Sequence, residues 1–193
     1  MEKSMHRLIV VCFALLLAGC STLGGGGTNR AASGRNIDPL NDDVANILVV
    51  LDLPRGLGPA PAGQLFTFDV ANGGPDQHLR ISLARADDAD QIGSVLPPPA
   101  DGRAYYLFAV ADADKAKLQN AQAAALARNV SPQSIQIGIV PHFCTSGQVD
   151  PSTITVSILG GVPGKTRMQP FLDNEPLSQV LLLPGSGQMP ACV

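Results

Sequence analysis

The chain has no tryptophan, two tyrosines and six phenylalanines. Flat aromatic platforms are therefore scarce, which argues against a sugar-binding protein. Charge is scarce too, at 15% of residues with a formal net charge of −3. No Lys/Arg-rich run is present, so the electrostatic footprint of a nucleic-acid binder is missing. Glutamate occurs twice, at Glu2 and Glu175, which leaves aspartate as almost the whole stock of general acids and bases. Gly-x-Ser-x-Gly is absent, and Gly24 to Gly27 lack the Lys-Ser/Thr of a phosphate-binding loop. The expectation is a protein that is not an enzyme and that uses no cofactor and no metal. Glycine and proline are plentiful, at 20 and 16 residues. That composition suits short strands joined by turns better than a bundle of helices.

Lys3 and Arg7 precede an apolar run from Leu8 to Leu17, which ends in Leu17-Ala18-Gly19-Cys20. A positive start, an apolar stretch and small residues at a cleavage site make an export signal. The run is about ten residues, short of the ~20 that a membrane-spanning helix needs. The pattern resembles a bacterial lipoprotein signal peptide, whose lipobox reads Leu, small, small, Cys. The resemblance implies that residues 1–19 are removed and that Cys20 carries a diacylglycerol on sulfur and an acyl chain, such as palmitate, on its amine. Two or more chains hold a protein stably in a membrane. Ser21 follows the cysteine, where Asp would retain an enteric lipoprotein in the inner membrane. It therefore implies the outer membrane, facing the periplasm. The resemblance covers the leader alone and says nothing about the activity of residues 37–193.

Without Glu2, Lys3 and Arg7 the mature chain has 11 basic and 15 acidic residues, a net charge of −4. Residues 20–36 supply the lipidated cysteine and a Gly/Ser/Ala/Asn-rich stretch without apolar period, which predicts a flexible tether. Its typical reach is about 20–25 Å. A single domain is expected over residues 37–193. Beyond Cys20 the cysteines are Cys144 and Cys192. An even pair in an exported protein reads as a disulfide. It would close a loop of 48 residues, 144 to 192, worth about 4 kcal/mol in the chain-entropy model. The rival is a free Cys144 beside His142. Residues two apart on a strand share a face, so the pair has the makings of a thiolate and its base. An oxidising compartment favours the disulfide.

Alternating or unbroken apolar runs predict strands at 47–51, 65–70, 79–83, 105–110, 134–143 and near 153–158, with weaker ones at 168–172 and 179–183. The first is apolar throughout and reads as buried on both faces. Pro54, Pro59, Pro61 and nearby glycines predict a loop. Six alanines, two leucines and two glutamines between Ala116 and Ala127 predict one helix over about 113–128. An aspartate at or near its N-cap is expected to accept orphan N–H bonds. Leu118, Ala121, Ala125 and Leu126 are expected on its inner stripe. Asp87, Asp88 and Asp90 lie in a long connection without the spacing of a calcium loop. His78 and one nearby aspartate are too few for zinc.

These elements predict a mainly β fold, an immunoglobulin-like or transthyretin-like sandwich of about seven strands with one inserted helix. The function expected is a lipid-anchored accessory, assembly or scaffolding component of an envelope complex. Its contacts would be the membrane, through its lipid, and a protein partner, with no nucleic acid. A small-ligand-binding lipoprotein is the first alternative and predicts a concave apolar pocket. A cysteine-dependent enzyme using Cys144 and His142 is the second.

Overall fold

The computed structural model describes residues 37–192, apart from positions 62, 72, 75, 76, 87–95, 166 and 183–188. The leader, Cys20, the tether and the aspartates at 87, 88 and 90 lie outside the described residues. The fold is mainly β. Seven antiparallel strands form one nearly closed sheet, and two short ones form a separate ribbon. In chain order they are β1 (Leu48–Pro54), β2 (Leu57–Pro59), β3 (Gln64–Val70), β4 (His78–Arg85) and β5 (Arg103–Val110). Helix α1 (Asp112–Ala127) follows, then β6 (Ile135–Val140), β7 (Phe143–Thr145), β8 (Thr155–Gly161), β9 (Gln169–Pro176) and the single turn α2 (Leu177–Val180). The large sheet runs β6-β3-β4-β5-β1-β8-β9, and the ribbon pairs β2 with β7.

β1 is buried on both faces, as its composition predicts. Val49, Leu51 and Leu53 enter the main core. Leu48 and Val50 join Leu107 in a smaller cluster on the opposite face. The strand also runs three residues further than expected, ending on Pro54 opposite Arg103. There Arg103 donates from Nε to the Asp52 carboxylate at 2.7 Å and from a terminal nitrogen to the Asp52 carbonyl at 2.7 Å.

The sheet has a narrow waist. β4 meets β5 over three residue pairs, Leu83–Val110, Ala84–Ala109 and Arg85–Phe108. On one side stand β6, β3 and β4, and on the other β5, β1, β8 and β9. Both groups feed one core: Phe66, Phe68, Ile137 and Ile139 from the first, Val49, Leu51, Val156 and Ile158 from the second. The nearly closed sheet therefore encloses one apolar core.

The structure departs from the pattern reading in several places. The run from 134 to 143 is not one strand. β6 ends at Val140, and Phe143 opens β7 in the ribbon. Pro141 lies between them and has no N–H to continue a ladder. The loop expected around Pro59 contains β2, whose partner β7 lies 86 positions away between Gly58 and Cys144. Residues 177–180 are helical rather than a strand. Leu177 and Val180, three apart, are both buried, which is a helical spacing.

The stretch before them forms β9, longer than predicted because two irregularities let it bend. Ile158 faces Leu172 and Leu159 faces Pro170, so Phe171 is the extra residue of a bulge. Its ring covers Gly160, where a Cβ would lie 2.8 Å from the Phe171 Cδ2. At the second irregularity Asn174 adopts a φ of 50° and donates its N–H to the buried Ser157 hydroxyl at 3.0 Å.

Helix α1 starts one residue early and lacks the expected cap. Ala111 is the N-cap and makes no side-chain bond. Asp112 and Asp114 sit in the first turn instead, each paired three residues on, with Lys115 and Lys117 at 2.8 Å. Leu118, Ala121 and Ala125 are buried, whereas Leu126 is 54% exposed. At 100° per residue the three buried positions share an arc of about 60°, and Leu126 lies about 80° beyond Leu118, outside that stripe. The segment that leads into β1 holds the helix from outside. Gln122 donates to the carbonyls of Pro39 and Asp42 at 3.0 and 2.8 Å.

Three carboxyls are held below their usual range. Asp38 is lowered by the Asn41 side chain and then by the Leu40 N–H, Asp112 by Lys115, and Asp150 by the Ser152 hydroxyl and N–H. Each is then protonated more readily in the unfolded chain than in the folded one. Their contribution is present at neutral pH and fades as pH falls below about 4. Denaturation midpoints should hold level from about pH 7 to 5 and fall between about pH 4 and 2. A midpoint unchanged at about pH 2.5 would contradict these assignments.

Candidate functional site

Cys144 and Cys192 are joined as a disulfide. Cys144 is buried on β7, beneath Gly58 of β2. A Cβ at Gly58 would lie 3.3 Å from the Cys192 sulfur and 3.4 Å from that of Cys144. The tail runs beside β7: Thr145 donates to the Pro190 carbonyl, and Cys192 donates to that of Thr145, both at 2.9 Å. His142 does not face a free thiol. Its Nδ1 lies 2.9 Å from the Gly63 carbonyl. Its backbone is clamped by Gln64, whose amide nitrogen donates to the His142 carbonyl at 2.8 Å and whose oxygen accepts the His142 N–H at 2.8 Å. The sulfur that a cysteine nucleophile would need is occupied.

His78 is the first residue of β4 rather than a turn residue, and it pairs across the ladder with Asp69, Nδ1 to carboxylate 3.2 Å. Among the described residues no three His, Cys, Asp or Glu side chains gather as metal ligands.

The feature that the sequence did not disclose lies beside β4. β5 stops at Val110, and the chain turns into α1 two residues later. His78 to Ser82 therefore have β3 on one side and, among the described residues, no strand on the other. Alternate residues of an antiparallel strand send N–H and C=O to opposite sides, so this edge retains unpaired backbone capacity. Between it and α1 lies an open cleft of about 870 Å³. From β4 it is lined by His78, Arg80 and Ile81, and from α1 by Lys117, Asn120 and Arg128. Among the described residues no carboxylate lines it. Lys117 is paired with Asp114 and His78 with Asp69, while Arg80 and Arg128 make no ion pair among the described residues.

At the head of this cleft is Gln77, 4% exposed. Its amide nitrogen and oxygen are both buried without a hydrogen-bond partner. Its side chain crosses Gly73, where a Cβ would stand 2.9 Å from the Gln77 Cβ and 2.8 Å from the Val70 carbonyl. Only glycine leaves that room.

Gln64 and Gln77 are thus two buried amides with opposite bookkeeping. Replacing Gln77 by Met removes an unsatisfied polar group and should raise stability by about 1 kcal/mol. The same change at Gln64 strands the His142 N–H and should lower it by about 2 kcal/mol. Urea midpoints of the two variants check this, and a Gln77→Met protein less stable than the wild type would refute it.

A second, smaller recess of about 500 Å³ lies between Asp43, Leu48, Lys115 and Lys165. It carries both signs of charge.

No protein-family model, curated protein or solved structure matches this chain, so the cleft between β4 and α1 is its candidate site on geometry alone.

Proposed function

We propose that this is an exported lipoprotein, anchored through Cys20 to the periplasmic face of the outer membrane, that works by binding a protein of the cell envelope as an accessory or assembly component. It is not an enzyme in this reading. The disulfide supports residence in an oxidising compartment. The observation that carries the binding role is the open edge of β4 beside α1. A strand edge left open in a folded domain invites pairing with another chain.

The immunoglobulin-like or transthyretin-like form of the fold belongs to the same proposal. It is supported by seven strands divided three and four about a waist, with one shared core. A second reading, a small-ligand binder, is supported by the cleft's volume, which falls within the range of ligand pockets. Its lining mixes basic and apolar residues, unlike the apolar pocket that the sequence led us to expect.

Two measurements test the proposal. Radiolabelled palmitate should enter the wild-type chain and not the Cys20→Ala variant. Crosslinking in intact envelopes should join the chain to one dominant protein partner. Label retained by Cys20→Ala would remove the anchor, and a chain that crosslinks to nothing would remove the assembly role.

A further inference from the structure

We infer that the cleft accepts an extended, acidic polypeptide segment, which adds as a strand to β4 along His78 to Ser82. This rests on the binding role proposed above and names the chemistry of the partner.

Three observations converge. The first is that, among the described residues, no strand lies on the second side of this part of β4. β4 runs alongside β5 only from Leu83 onward, and the space next to His78–Ser82 is bounded by α1 instead. A guest strand there would continue the ladder where β5 leaves it. The second is charge. The chain as a whole is acidic, yet this cleft presents Arg80 from the strand and Arg128 from the helix, both without an ion-pair partner among the described residues. A guest with carboxylates would meet complementary charge from both walls. Basic or strongly apolar guests would not.

The third is Gln77. A primary amide can hold a peptide unit at both ends, donating to its carbonyl and accepting from its N–H. Gln64 does this to His142 within the same fold. Gln77 has the same side chain, the same deep burial and no partner, at the point where β4 begins. Turned toward a guest's first peptide unit, it would gain the two bonds it lacks. A buried polar group left unsatisfied in the free protein calls for an explanation, and a guest that completes it supplies one.

The test uses the full chain and fluorescently labelled seven-residue peptides. One alternates valine with aspartate, and one alternates valine with lysine. Anisotropy should show the aspartate peptide binding at low salt and the lysine peptide not binding. Raising salt from about 0.05 to about 0.5 M should weaken the complex. Reversing both arginines, Arg80→Glu with Arg128→Glu, should raise Kd about tenfold or more and transfer preference to the lysine peptide. Gln77→Met should weaken binding about fivefold while the free protein keeps its fold. Lys165→Glu, at the other recess, should change nothing.

Binding of the aspartate peptide that survives the double reversal would overturn the inference. So would equal binding of both peptides, or binding of neither. Envelope crosslinking of the double-reversal variant separates this inference from the broader one. If the dominant partner still crosslinks, this cleft is not where it docks, although the chain remains a binding protein. If the chain had no partner to begin with, the broader reading has failed.

Discussion

Serine at both Cys144 and Cys192 is expected to lower stability by about 4 kcal/mol. The bond closes 48 residues, and cross-linking that span removes conformational freedom from the unfolded chain. In the native fold it fastens the tail to β7, a strand of three residues whose ladder partner is equally short. A ribbon this size is not stable in isolation. Without the bond, the described residues hold the tail by two backbone hydrogen bonds between Thr145 and residues 190 and 192 and by the packing of Met189 against the core. The loss should appear as a lower urea midpoint together with a steeper dependence on urea, because the reduced unfolded chain exposes more surface. Limited proteolysis should cut the variant first near its C-terminus. A variant as stable as the oxidised protein would show that the bond merely decorates a tail already held by its neighbours.

Phe66→Ala is the second large effect, with an expected loss of about 3–5 kcal/mol. Phe66 is fully buried on β3, between Ile81 of β4 and Ile139 of β6 in the ladder. Truncation would open a cavity among side chains held by sheet backbone on either side, which relaxes poorly. Phe171 offers the comparison. It is 7% exposed, on the outermost strand β9, and seated in a bulge. An edge strand can settle inward, so Phe171→Ala should cost about half as much. For a domain of this size 1 kcal/mol moves the melting temperature by about 2–4 °C. Thermal melts should therefore place Phe66→Ala about 10 °C or more below the wild type, with Phe171→Ala between them. Equal melting temperatures for the two variants would contradict the division into a rigid centre and a yielding edge.

Much of the strand content was legible because half-buried strands alternate. β3, β4, β5 and β8 lie where Phe66-Thr67-Phe68, Leu79 to Leu83, Tyr105 to Val110 and Val156-Ser157-Ile158 place them. α1 was legible from its alanines. What was misread depended on partners distant in sequence. β2 has three residues, two of them Gly58 and Pro59, and no local pattern marks it. It is a strand because β7 comes to lie against it. β9 runs longer than its alternation predicts since one bulge is set by the fit of Phe171 over Gly160 and the other by Asn174 against Ser157, which no alternation encodes. Leu126 is exposed because, at 100° per residue, it lies outside the arc that Leu118, Ala121 and Ala125 share, whatever its hydrophobicity suggests.

The candidate site was the least legible part. Gln77 reads as one more polar turn residue, and Arg80 as the outward member of an alternating strand. Their partner in the cleft is Arg128, 48 positions on from Arg80, at the far end of a helix.

The sequence by itself determined the β class and the helix, because each follows from local period or local propensity, and it favoured the Cys144–Cys192 pairing that the structure shows. Only the tertiary structure decided that β5 gives way to α1 after Val110, and that a buried amide without a hydrogen-bond partner lines one cleft with two arginines that make no ion pair among the described residues. Those facts depend on which strand stops first and where a helix then lies, and both are settled by packing between residues that share no stretch of chain.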